Sequence, residues 1–320
     1  MTTTALAGRA GAARTTFLSR LRRGDEVAYL LTFAFALVVL LITAAFFWQL
    51  YAQSPIVWDR FGTRFLYDTA WDPVAEQFGA APFIFGTLVT SFLALLLAVP
   101  LGVGVAIFLT ELAPRRVSEA TALLVDLLAA VPSVIYGLIA IAVLVPFMRT
   151  TVQPALAATG LPFLGGPAYG VGYLTASLVL TFMIVPFIVS VSREVLMAVP
   201  REQREAALAL GSTTWETTWR IVLPFARLGI VGAVFLALGR ALGETMAVTM
   251  VIGNRPEIGH SLLGPGYSMA AVIANEFTEA TSDVHLQALI AVGFVLFVMT
   301  MIINAVARAL ILVTTRSARS

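Results

Sequence analysis

Six long apolar runs constrain this chain more than any other feature of its sequence. They cover residues 27–48, 83–109, 120–147, 171–199, 228–252 and 286–313. A helix needs about 20 consecutive apolar residues to cross the hydrocarbon core of a bilayer, and each run reaches that length. The sequence therefore predicts an all-α integral membrane protein with six transmembrane helices.

The composition agrees with a membrane protein and excludes several kinds of enzyme. Charged residues make up 12% of the 320 residues, whereas a soluble domain carries about 25%. All 20 basic residues are Arg, so the Lys that a P-loop needs to reach nucleotide phosphates is missing. The absence of Cys excludes thiolate nucleophiles and Cys-ligated metals. We expect His260 and His285 to be ordinary loop residues, and we predict neither catalytic residues nor a metal site.

The distribution of Arg predicts the topology, because cytoplasmic loops of membrane proteins are enriched in basic residues. With six spans, the Arg-rich segments all fall on one side, which places both termini in the cytoplasm. The first run is too long for a cleaved signal sequence, so we interpret it as an uncleaved span. The predicted divisions are an Arg-rich cytoplasmic segment (1–26), a first helix with an external loop (27–82), a five-helix core (83–313) that includes an inner-face loop (200–227), and a cytoplasmic tail (314–320).

Prolines are expected to interrupt three of the spans. Pro100 lies in the second run, Pro132 in the third and Pro186 in the fourth. Such breaks can serve as bending points in a transporter, but proline is also simply more frequent in membrane helices.

The inner-face loop has the pattern of two short helices. Pro200 suits a helix start, Gly211 suits a helix stop, and Thr213 with Glu216 forms a capping box for a second helix. We expect Pro224 to end that second helix. The Ala-rich first helix, with Glu205 exposed, is shaped to enter a groove on another protein; the alternative is an amphipathic helix lying on lipid.

Two charged residues stand inside the fifth run. Arg240 and Glu244 are four residues apart, so both should lie on one helix face. Arg240 falls about 18 Å into the run at 1.5 Å per residue, where a charge costs at least about 2.5 kcal/mol. Arg240 could bind a passing oxyanion, with Glu244 holding it when no anion is present; alternatively, the two form a buried pair that fixes helix register. Gly239 and Gly243 would let another helix approach closely.

These segments resemble a known family of transporters. The inner-face loop, with Glu205, Ala206, Ala207, Gly211, Ile221, Leu223 and Pro224, is similar to the EAA loop of ATP-binding cassette (ABC) importer permeases. The segments GRALGETMAV (239–248), WDPV (71–74), PLGVGVAIFLTELAP (100–114) and AAVPSVIYGL (129–138) are similar to those of phosphate permeases. The WDP loop favours the PstC type over the paired PstA type. The resemblance runs from about residue 25 to the C-terminus.

The resemblance implies a type I ABC importer permease fold and a role in phosphate import. It implies a substrate path at Arg240 and Glu244, and an ATPase coupling loop that contains Glu205 to Pro224. The implied partners are a PstA-like second permease, two PstB-like ATP-binding subunits that hold ATP and Mg²⁺, a PstS-like external phosphate-binding protein and membrane lipid, with no nucleic acid. The implied location is the cell membrane. Alternatives are the PstA partner, a sulfate or molybdate permease, and a stand-alone anion channel or carrier.

Overall fold

The computed structural model describes residues 25–317 of the chain, with side chains placed for residues 26–309. The basic head, with Arg9, Arg14, Arg20, Arg22 and Arg23, lies outside the described residues, as does Arg319 of the tail. The chain divides between Gln53 and Ser54 into two units. The described part of the first unit is one helix, α1 (Asp25–Ala52), which is apolar along most of its length.

The second unit is mostly helical. Two short strands, β1 (Trp71–Asp72) and β2 (Gln77–Phe78), pair antiparallel as a hairpin, so the expectation of an all-α chain omitted this small element. Single turns of 3₁₀ helix cover Gly62–Leu66 and Pro162–Leu164. The helices are α2 (Pro55–Arg60), α3 (Ala81–Leu112), α4 (Arg115–Ala129), α5 (Ser133–Ala157), α6 (Tyr173–Met197), α7 (Arg201–Ala209), α8 (Thr214–Leu242), α9 (Met246–Val251), α10 (Met269–Glu276) and α11 (Asp283–Ser317).

Six helices of the described chain are long and apolar enough to cross a membrane, which confirms the predicted number. They are α1, α3, α5, α6, α8 and α11. The predicted third run, 120–147, was wrong in its boundaries because it joins α4 to α5. Pro132 adopts an extended conformation between them and precedes the first residue of α5. The predicted fifth run, 228–252, begins too late and runs across the break between α8 and α9.

Several prolines are accommodated within helices rather than ending them. Pro100 and Pro186 lie inside α3 and α6, so the predicted interruptions there do not occur. Four wide turns of π-helix, Phe108–Leu112, Ala140–Leu144, Met148–Val152 and Thr218–Val222, each end two residues before a proline. Proline has no N–H and its ring clashes with the carbonyl four residues earlier. A wider turn relieves that clash while keeping the remaining hydrogen bonds.

The main core forms around α6. Its Leu180, Ile184 and Ile188 are almost fully buried, and α3 packs along it in the most extensive helix contact of the second unit. The approach is close because α3 presents small residues at Ala94, Ala98 and Gly102. A side chain at Gly102 would meet Ile188 Cγ2 at 2.7 Å.

A second core lies at the end of the bundle that carries the hairpin. The Trp71 ring contacts the rings of Phe78 and Phe83 with centroid distances of 4.9 and 4.7 Å. Its indole Nε1–H donates to Glu276 Oε2 at 2.9 Å, and the same oxygen lies 3.1 Å from His285 Nε2. His285 is therefore a buried packing residue in the first turn of α11 rather than a loop residue. This aromatic cluster ties the hairpin to α3, α10 and α11.

We expect Gly102→Leu to destabilise the protein, because it forces a side chain into the α3–α6 contact. Overpacking of this kind costs about 1–3 kcal/mol. The matched control is Gly104→Leu on the same helix, where a Cβ meets no atom within 4 Å. Thermal unfolding of the detergent-purified protein measures the difference; equal unfolding temperatures for the two variants would contradict this packing.

Candidate functional site

The inner-face loop forms a short helix with a well-defined end. Helix α7 stops at Ala209, and Gly211 adopts φ +87°, in the left-handed region that favours glycine. The N–H of Gly211 donates to the Leu208 carbonyl at 3.0 Å, and the N–H of Ser212 donates to the Ala207 carbonyl at 3.2 Å. This pair of bonds is the Schellman motif of helix ends. The prediction that Gly211 stops the helix is confirmed.

The second helix of the loop begins as predicted but ends differently. The Glu216 N–H donates to Thr213 Oγ1 at 3.2 Å, and the Thr213 N–H donates to Glu216 Oε2 at 3.0 Å, which completes the capping box. Pro224 does not end this helix, because the wide turn Thr218–Val222 accommodates it and α8 continues to Leu242. The loop therefore passes directly into a membrane-spanning helix.

Arg204 fixes α7 to the ends of two other helices. Its guanidinium donates to the carbonyls of Leu196 and Val199 at 2.8 and 3.0 Å, and to Glu111 Oε1 at 2.9 Å. The Glu111 side chain is only 8% exposed. The first two bonds satisfy carbonyls at the end of α6, and the third reaches the end of α3. The sequence reasoning missed Arg204 and Glu111, because 93 residues separate them and no local pattern joins them.

The residues predicted to dock a partner divide between an exposed and a buried set. Glu205, Ala206, Gly211 and Pro224 are exposed, whereas Ala207 is buried, and Ile221 and Leu223 are partly buried. Leu210, at the tip of the loop, is 89% exposed. Val222, which was not predicted, is fully buried against Leu196 and Val199. One face of the loop therefore packs on the bundle while the other is open.

Arg240 lies in the last turn of α8 and is exposed. A cation is favourable there because the helix dipole is negative at its C-terminal end. Among the described residues Arg240 has no ion-pair partner, but its charge acts on the nearby Tyr136. Tyr136 donates its hydroxyl proton to the Leu128 carbonyl at 2.8 Å and lines an apolar cavity of about 410 Å³ between α5 and α6.

Glu244 does not pair with Arg240 as the sequence suggested. The helix ends at Leu242, so the two residues no longer share a continuous helix face. Glu244 Oε1 instead accepts a hydrogen bond from the Ala247 N–H at 3.3 Å, at the start of α9. The predicted close approach at Gly239 is also missing within the described chain, since a Cβ there meets no atom within 4 Å. Arg240 is thus left with an exposed positive charge beside an open helix face.

Asp126 on α4 takes part in a structural bond. Asp126 Oδ1 accepts from the Ser190 hydroxyl at 2.7 Å, which links α4 to α6. No cluster of three or more His, Cys, Asp or Glu side chains suited to a metal occurs in the described range. Arg240 carries a planar, permanently charged guanidinium, a group that can bind an anion.

Comparison with known proteins identifies relatives over most of the chain. Residues 98–316 match the family model described as the inner membrane component of binding-protein-dependent transport systems. The phosphate transport system permease protein PstC of Mesorhizobium japonicum is 47% identical over 294 residues, 90% of each chain. PstC of Xylella fastidiosa is 45% identical over 88% of this chain and 89% of its own. PstC 2 of Mycobacterium tuberculosis is 43% identical over 78% of this chain and 79% of its own.

Solved structures share the fold at lower sequence identity. A bacterial ABC transporter that imports the acidic polysaccharide alginate aligns with a TM-score of 0.54 at 19% identity, over 91% of this chain and 99% of its own. The MetNI methionine ABC transporter in an inward-facing form aligns with a TM-score of 0.51 at 19% identity, over 72% of this chain and 91% of its own. The fold is therefore that of ABC importer permeases.

We expect Arg204→Gln to loosen α7, because the change removes the charged group that holds three oxygens and leaves the Glu111 carboxylate without its partner. Breaking a buried ion pair of this kind costs about 3–5 kcal/mol. Hydrogen–deuterium exchange should increase in peptides that cover residues 201–212. Arg201→Gln is the control, since Arg201 is exposed at the start of the same helix. Unchanged exchange in the Arg204 variant would show that other contacts hold α7.

Proposed function

This chain belongs to the family of binding-protein-dependent transport inner membrane components, in its PstC phosphate permease branch, and we propose that it forms half of the translocation path of an ATP-driven phosphate importer. Identities of 45–47% over about nine tenths of the chain support the assignment. The chain would do no covalent chemistry itself. ATP and Mg²⁺ would be bound by separate ATPase subunits.

The structural observation that best supports this function is that Arg204 links α7 to the ends of α3 and α6. A motor can move a membrane domain only through a rigid contact. Glu205, Ala206 and Leu210 are exposed on the open side of α7, while Arg204 connects the same helix to α3 and α6. A displacement of α7 by an ATPase would therefore be passed to two spans at once, and to α8 through the continuous helix that follows.

Arg240 is proposed as the contact for the transported anion. Its guanidinium is exposed and unpaired within the described chain, so an oxyanion would not have to displace a carboxylate. Two donors of the planar fork can bind two oxygens of one phosphate. Glu244, whose Oε1 is engaged at the start of α9, retains a second oxygen that could accept a hydrogen bond from the P–OH group of a protonated phosphate. Sulfate and molybdate have no such O–H group at neutral pH.

The orientation and assembly follow from the same proposal. Both termini would be cytoplasmic, with α7 on the cytoplasmic side and the hairpin outside. The divisions at residues 26, 82 and 313 remain our proposed segment limits. A PstA-like permease would complete the path, two PstB-like subunits would drive it, and a PstS-like protein would deliver phosphate to the outer loops.

Reconstituted transport tests the function directly. The complete complex in proteoliposomes should take up labelled phosphate with ATP, and excess sulfate or molybdate should not compete. Preferential uptake of sulfate or molybdate would assign the chain to another oxyanion. Uptake by the purified chain without an ATPase would favour the channel or carrier alternative.

We expect Arg240→Gln to reduce ATP-dependent phosphate uptake about tenfold to a hundredfold, the range for losing a charge-assisted hydrogen bond. The complex should still assemble, because Arg240 is exposed and holds no other helix. Arg116→Gln, a change of the same kind at an exposed site on α4, is the control. Uptake at the control level in the Arg240 variant would remove this residue from the path.

We expect Gly211→Val to weaken stimulation of the ATPase by the permease. A β-branched residue is strained at φ +87° by about 1–3 kcal/mol, so the end of α7 and the exposed Leu210 would shift. Gly211→Asn is the matched control, because Asn tolerates the left-handed region. ATP hydrolysis by the assembled complex is the measurement, and equal rates in the two variants would show that this turn does not contribute to docking.

A further inference from the structure

A groove between α8 and α11 lies apart from the residues assigned above. It has a volume of about 590 Å³. Its walls are apolar, and its polar residues are Asn304 and Arg308. Residues that line the walls include Gly232, Leu236, Met301 and Ala305.

The polar residues of the groove lie at the depth of lipid headgroups. Arg308 is 25 positions after Asp283, the first residue of α11, which places it about 37 Å further along the helix at 1.5 Å per residue. The hydrocarbon core is about 30 Å thick. Arg308 therefore falls at the membrane surface on the α7 side of the bundle, and Asn304 lies one helical turn deeper on the same face.

The helices around the groove are strongly positive at this end. Residues 217–243 and 284–320 contain no Asp or Glu. The same stretches contain Arg220 and Arg227 in the part of α8 next to the inner-face loop, and Arg308 near the far end of α11. Arg308 is exposed and has no ion-pair partner among the described residues. An apolar groove that ends in an unpaired cation suits a molecule with an apolar body and an anionic end.

We propose that this groove binds an anionic phospholipid of the leaflet on the α7 side. The Arg308 guanidinium donates to the headgroup phosphate, the Asn304 amide adds a second donor, and an acyl chain lies between Gly232 and Leu236 on one side and Met301 and Ala305 on the other. Basic pockets between membrane helices on the cytoplasmic side bind acidic lipid headgroups in this way. Free phosphate shares the headgroup chemistry but would have to lose its hydration against the apolar walls.

The test measures phosphatidylglycerol retained by the full chain in detergent, using native mass spectrometry, with phosphatidylcholine as the reference lipid. Arg308→Gln should weaken phosphatidylglycerol binding about fivefold, the effect of one Arg near an anionic lipid surface. Arg116→Gln removes an exposed charge elsewhere and should leave binding unchanged. Equal retention by the two variants would overturn the proposal.

A second variant tests the acyl-chain part of the site. Gly232→Leu fills the groove from the α8 side without a clash, because a Cβ there meets no atom within 4 Å. It should reduce retention of phosphatidylglycerol while leaving the unfolding temperature unchanged. If Gly232→Leu retains as much lipid as the wild type, the acyl chain does not lie in this groove and the proposal fails. Displacement of the lipid by excess inorganic phosphate would likewise overturn it and assign Arg308 to the free anion.

A third experiment uses the assembled complex and does not depend on transport. The chain has no Cys, so Gly232→Cys introduces a single thiol in the groove. A lipid-soluble maleimide should label it in the complete complex, and phosphatidylglycerol should slow the labelling. A disulfide or cross-link from this position to another protein helix would show that protein, rather than lipid, covers the groove.

Discussion

Pairing of backbone hydrogen bonds is the constraint on which the rest of this structure depends. Inside a bilayer no water is present to replace a lost bond, so each span must keep its own ladder. The prolines show how strictly this holds. Pro114, Pro146, Pro154 and Pro224 each follow a π-helical turn, whose wider spacing accommodates the proline ring and its missing N–H. In α5 and α8 the helix continues beyond the proline. A proline is thereby tolerated within a span without ending it.

The same constraint explains why α7 is attached where it is. The last carbonyls of a helix have no partner within it. At the end of α6, Arg204 donates to the carbonyls of Leu196 and Val199, and its charge is favourable beside the negative end of the helix dipole. The end of a span and the orientation of α7 are thus fixed by one guanidinium. Glu111 extends the arrangement to α3, so that three helices meet at a single charged group.

Local patterns in the sequence predicted local features well. The number of spans, the stop at Gly211 and the Thr213–Glu216 capping box all follow from short-range spacing, and the structure confirms them. Several failures occur where a distant contact or a compensating turn decides the outcome. Pro224 was expected to end a helix, but a wide turn accommodates it. The Arg204–Glu111 pair joins residues far apart in sequence, and the pairing of Trp71 and His285 with Glu276 is likewise a tertiary contact.

The separation of Arg240 from Glu244 has a direct consequence for anion binding. A pair on one continuous helix would neutralise itself, and an incoming oxyanion would have to compete with a carboxylate that is always present. Because α8 ends at Leu242, Glu244 turns to the start of α9 and caps it through the Ala247 N–H. The positive charge of Arg240 is stabilised instead by the helix end that carries it. At the proposed anion contact, that arrangement would let Arg240 bind an anion without first breaking an ion pair, and release it without leaving the cation in an unfavourable place.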